Sequence, residues 1–151
     1  MKFSMAVETK IFNQHIKDFN RKTNISTEKV IKKFAFDVLA RIIRKMPVDK
    51  GQARAGWYAA FETLGGSGPH TGTPEESKGI SQGGFIDHTQ GAFKNKWVEL
   101  INGVEHMIFL ECGWSQQAPL GVIRISMREM RKGQLPKDMT EQFQKDWKSF
   151  S

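Results

Sequence analysis

Between Ser26 and Met46 the residues Val30, Ile31, Phe34, Ala35, Val38, Leu39, Ile42, Ile43 and Met46 recur at the i, i+3, i+4, i+7 spacing of a helix face. No other feature constrains the fold as much. Ser26 or Thr27 can cap this helix, Glu28 in the first turn and Arg41, Arg44 and Lys45 in the last suit its dipole, and Pro47 stops it. At about 100° per residue the apolar positions cover an arc of about 200°, wider than one sheet contact requires. The arc therefore predicts two packed surfaces. Phe36, just beyond it, points to a subunit contact as the second.

What could pack there is limited by length and composition. A chain of 151 residues with 38% hydrophobic residues makes about one domain, here taken as 1–151. Its single cysteine excludes an intramolecular disulfide and a multi-thiolate zinc site. The first residues, MKFSMAVETK, lack a signal-peptide core, and no run of about 18 apolar residues occurs, so the expectation is an unexported protein without a membrane span.

Elsewhere the periodicity is shorter. Ile11, Phe12, His15, Ile16 and Phe19 predict a short first helix, and Thr140 to Trp147 a last one. Trp57, Ala59 and Phe61 alternate against Tyr58 and Ala60, which predicts a strand over Ala53 to Thr63. Gly65 to Gly91, with eight glycines and two prolines, reads as a long mobile loop or hairpin tip. Lys96 to Ile101 alternates as a strand, and Asn102-Gly103 predicts a tight hairpin turn. Val104 to Cys112 fits either the returning strand or a short helical turn. From Pro119 onward Leu120, Ile123, Met127 and Met130 fall at helical spacing, with Pro119 in the first turn and Gly133 as the stop. A strand through Ile123, Ile125 and Met127 is the competing reading. The fold class expected is α+β: a long N-terminal helix on a small antiparallel sheet, with a further C-terminal helix.

Candidate chemistry is sparse. Cys112 would need a base, and His106 is the histidine nearest in sequence; on a strand the two would share a face but stand about 20 Å apart. A packed thiol is the simpler reading. His70 and Asp87-His88 flank the glycine-rich stretch, yet their spacing matches no metal-ligand pattern. Neither phosphate-binding glycine motif occurs, and Glu99, Glu105 and Glu111 lie six apart with no second acid to pair with. No catalytic set, cofactor site or metal site emerges, and no enzymatic activity is expected. The net charge of +7 is concentrated in Met1 to Leu64, with 13 basic against 6 acidic residues. Lys29, Lys33, Arg41 and Arg44 line the polar side of the long helix, with Asp37 among them, as a solvated face or, alternatively, as part of a small basic nucleic-acid-binding module.

Two stretches carry a family likeness. Pro47-Val48-Asp49, Gly51, Arg54 and Trp57 in the first, and Asn102, Leu110-Glu111, Gly113, Ser115, Gln117-Ala118-Pro119 and Gly121 in the second, resemble the motifs of tailed-bacteriophage tail-completion proteins of the minor tail protein Z type. The likeness covers about two thirds of the chain. Lys50, Glu105-His106 and Cys112 depart from it, standing where the family has Thr, Pro-Tyr and often an aromatic residue. The resemblance implies a structural virion protein of the neck or tail, made in the bacterial host cytoplasm. It would complete the tail and help attach it to the connector, without catalysis. It also implies a homo-oligomeric ring, six subunits around the tail axis, touching the tail terminator and head-tail connector proteins near the DNA channel.

Overall fold

The computed structural model describes residues 3–8, 27–90 and 96–132. In chain order the elements are β1 (Phe3–Glu8), α1 (Thr27–Lys45), α2 (Gln52–Ala55), α3 (Tyr58–Thr63), α4 (Pro74–Ser81), β2 (Gly83–Asp87), β3 (Trp97–Asn102), α5 (Met107–Glu111) and α6 (Ile123–Arg131). The architecture is α+β, a long helix packed on a small antiparallel sheet with a further helix toward the C-terminus. The expected helices near Ile11 to Phe19 and Thr140 to Trp147 lie outside the described residues, as do the Ser26 cap and the Gly133 stop.

The sheet has three strands in the order β1-β3-β2, both neighbours antiparallel to β3. Phe3 and Gly83 both face Asn102, and Glu8 faces Trp97. On β3 the expected alternation holds as far as Leu100, with Val98 and Leu100 fully buried and Trp97 and Glu99 half-buried, but Ile101 and Asn102 at its end are both buried. β1 was not expected, although Phe3, Met5 and Val7 carry a period of two.

α1 supplies the core, with Ile31, Ala35, Val38, Leu39, Ile42 and Met46 all buried. Its wide arc does receive more than one surface, and all of them come from the same chain: β1 and β3 of the sheet, α3 and α6. Phe36 is buried against Phe61 of the same chain, ring centres 4.9 Å apart. The polar side of α1 is likewise not a solvated face. Lys33 and Asp37 are both buried and pair at 2.9 Å, and Arg41 is buried with its guanidinium 3.1 Å from Glu129 of α6, which Lys45 also meets at 2.6 Å. Only Lys29 and Arg44 of the four expected cations are exposed.

Three expectations fail for identifiable reasons. Ala53 to Thr63 forms α2 and α3 instead of a strand, because Trp57, Ala60 and Phe61 also satisfy i, i+3, i+4 and are buried, and four alanines favour helix. The stretch 65–91 is not a long loop. It contains α4, started by Thr73, whose hydroxyl accepts the Glu76 N–H, and by Pro74 in the first turn, followed by the edge strand β2. Two of its glycines serve close approach: a Cβ on Gly79 would lie 2.2 Å from the Gln52 carbonyl oxygen, and one on Gly83 2.0 Å from that of Gly56. Finally, Asn102-Gly103 turns no hairpin. Gly103 donates its N–H to the Gln82 carbonyl, and the chain leaves β3 through Val104 into α5, the helical option for that stretch.

Candidate functional site

The two stretches with the family likeness are well separated in sequence and meet in space. Pro47, Val48, Asp49, Lys50, Gly51, Gln52 and Ala53 form one wall of an open cleft of about 680 Å³, and His106, Leu110, Ser115 and Gln117 form the other. The first wall is a tight connection between α1 and α2. Gly51, at φ +82°, sits in the left-handed region just before α2, and Pro47 removes the N–H that would have extended α1. Asp49 and Lys50 are exposed and give this wall one charge of each sign.

The second wall is shaped by Glu111. Its buried carboxylate accepts the N–H groups of Val122 at 2.9 Å, Ile123 at 2.8 Å and Arg124 at 2.9 Å. These are the orphan donors at the start of α6, whose own leading residue, Val122, offers no side-chain cap. Arg124 returns the contact, its Nε donating to the carboxylate at 3.1 Å and its terminal nitrogen to the Glu111 carbonyl. The negative charge also suits the helix dipole. Two glycines let the strands of this corner close. Gly113 (φ +85°) would drive a Cβ to 2.3 Å from the Pro119 carbonyl oxygen, and Gly121 (φ +80°) to 2.6 Å from that of Glu111. The Ser115 hydroxyl accepts the Gln117 N–H at 3.2 Å, which fixes the tip of the loop.

The geometry corrects the expected helix start. Pro119 and Leu120 form a turn outside α6, because Gly121 is left-handed and the Glu111 cap acts on Val122 to Arg124. Phe109 is 45% exposed and stacks at 4.7 Å on Trp114, itself 75% exposed. Cys112, at the end of α5, is exposed and not packed.

Asn102 joins the cleft to the sheet. Fully buried, it donates from Nδ2 to the Ala53 carbonyl at 2.8 Å and accepts the Val104 N–H at 3.0 Å. Ala53 lines the cleft, so the end of β3 holds the first wall in place. Trp57 is fully buried behind it, and Arg54 is half-buried beside Tyr58. Pro47, Asp49, Gly51, Ser115 and Gln117 thus face the cleft, whereas Asn102, Glu111, Gly113, Pro119 and Gly121 build its frame. Comparison of the chain with family models, curated proteins and solved structures found no match.

The histidines go elsewhere. His70 sits between Glu76, 3.0 Å from its Nδ1, and Glu62, at its Nε2. Glu76 also accepts from the Thr71 N–H at 2.7 Å, the Thr71 hydroxyl at 2.8 Å and the Gly72 N–H at 3.4 Å. The Thr71 N–H does most to hold the Glu76 carboxyl down to about 2, against the effect of burial. Asp87 binds Lys32 at 3.0 Å and accepts from Thr89, and His88 stacks on Trp97 at 3.8 Å. His70 is therefore engaged apart from Asp87-His88. Sequence reasoning missed the His70 clamp, whose local signal is Thr73 followed three residues later by Glu76. Among the described residues no helix is long and apolar enough to cross a membrane.

Proposed function

We propose that this chain is a structural virion protein of a tailed phage, placed at the head-tail junction, where it completes the tail and helps attach it to the connector. One observation supports this reading above others. The residues of two separate stretches that resemble the tail-completion motifs gather on one cleft and its frame. The cleft is open, carries both charges and several amide and hydroxyl groups, and is framed by buried hydrogen bonds that keep its walls fixed. Such a surface suits a protein segment docking in one orientation.

In this reading the tail terminator or the connector supplies that segment, and copies of the chain form a ring, six around the tail axis. The role needs positioned surfaces and no reacting group. Deleting the gene is expected to leave filled heads and separately assembled tails that fail to join productively, with infectivity lost. Ser115→Arg with Gln117→Arg, which fills the cleft from an exposed loop, is expected to fold and yet not restore joining. Infectious particles in normal number without the protein would sink the reading.

A further inference from the structure

We propose that the outer face of α6 binds single-stranded nucleic acid, a property independent of the assembly role. Ile123 and Ser126 are buried, and Met127 and Met130 pack against the core, so α6 turns its opposite side to solvent. That side carries Arg124, Arg128, Arg131 and Lys132, all exposed. At 3.6 residues per turn and 1.5 Å rise, the four fall within an arc of about 100° over a length of about 12 Å. They form a continuous cationic stripe.

The stripe is not neutralised by its own helix. Glu129, the one acid of α6, is drawn to the α1 side by Arg41 and Lys45. Arg124 is partly engaged by Glu111, and among the described residues no carboxylate pairs with Arg128, Arg131 or Lys132. The buried pairs on α1 thus remove charge from the helix that looks basic in sequence and leave it on α6. Three of the four cations are arginines, whose planar forks match phosphate oxygens.

A second feature favours nucleic acid over an acidic protein surface. Trp114 is the most exposed large apolar side chain described, and it stacks on Phe109. Arg124 reaches back to the Glu111 carbonyl, tying the start of the stripe to α5, which carries Phe109. An exposed aromatic ring linked through α5 to a cationic track supplies the two elements by which single strands are held without regard to sequence: phosphates follow the charges and an unpaired base stacks on the ring. An acidic protein would use the charges and leave Trp114 without a role.

The test is fluorescence anisotropy of the full chain with a labelled oligodeoxythymidylate of about 15 nucleotides, over about 50 to 200 mM salt. Replacing Arg128, Arg131 and Lys132 together by Gln is expected to weaken binding about tenfold or more at the lower salt and to reduce the slope of log affinity against log salt by about 2. Trp114→Ala is expected to cost about tenfold. Replacing Lys29, Lys50 and Lys78 together by Gln removes the same charge from exposed sites elsewhere, and less than a threefold change is expected, roughly a general charge effect. All seven side chains replaced are exposed, and unchanged thermal midpoints check that each variant folds. The proposal is overturned by an absence of binding, by equal losses in the two triple variants, by full binding in Trp114→Ala, or by an oligoglutamate that displaces the strand at equal charge concentration.

Discussion

Glu76 and Glu111 are both buried carboxylates that gather backbone N–H groups beside a helix start, yet one works from inside its helix and the other from a distance. Glu76 belongs to the first turn of α4 and reaches back to Thr71 and Gly72, so it organises the approach to its own helix. Glu111 ends α5 and caps α6 eleven to thirteen residues later, joining two helices across a corner. Their cationic partners differ as well. Glu76 shares His70, which gains and loses charge near neutral pH; Glu111 has Arg124, which keeps its charge throughout. The first device holds a local segment and depends on pH. The second holds the framework of the cleft.

That difference sets the order of the expected losses. Glu111→Ala leaves three backbone donors without their acceptor, two of them on the buried residues Val122 and Ile123, and strips Arg124 of its partner. A cost of about 3 kcal/mol in unfolding free energy follows, read from urea titration. A loss no larger than that of an ordinary surface substitution would break the comparison, since Glu111 would then be holding nothing.

Gly113→Ala comes next. It leaves every hydrogen bond donor in place but puts a Cβ at a left-handed φ and 2.3 Å from the Pro119 carbonyl oxygen, so the corner must open. About 2 kcal/mol is expected. It is also expected to impair head-tail joining beyond its effect on stability, because Ser115 and Gln117 ride on the displaced loop. Joining that tracks stability alone would separate the corner from the cleft.

How much of this was legible in the sequence depends on whether the controlling contact is local. α1, β3 and the helical spacing of α6 announce themselves because each pattern repeats within a few residues. The two family-like stretches were also visible, as separate halves. Their meeting on one cleft was not, because it depends on Asn102 reaching the Ala53 carbonyl across 49 positions. The basic face of α1 misled for the same reason: Arg41 is neutralised by a residue 88 positions away. The glycines of 65–91 misled because a glycine needed for close packing reads the same as one in a mobile loop. Gly79 and Gly83 are of the first kind, and only the backbones of Gln52 and Gly56 show it.

The smallest effect belongs to His70, and its dependence on pH is what sharpens the comparison. Hydrogen bonds to Glu76 first and to Glu62 second raise the imidazole above its ordinary value of 6.5. A histidine with a raised folded value stabilises fully below 6.5, and that stabilisation is lost as pH rises through the folded value. Glu76 acts in the opposite direction: its contribution is present above the ordinary 4.5 and is lost as pH falls toward about 2. The clamp is therefore complete between 4.5 and 6.5. His70→Gln is expected to lower the thermal midpoint most within that window and progressively less above it. Because the imidazole is 44% exposed, water screens both pairs and the shift stays below those of Glu111→Ala and Gly113→Ala. Gly113→Ala removes no titrating group and keeps its loss constant over the same range. A His70→Gln loss equally flat with pH would assign the residue's role to its edge-on contact with the Tyr58 ring at 5.1 Å, and the contrast between a titrating and a fixed corner would fall.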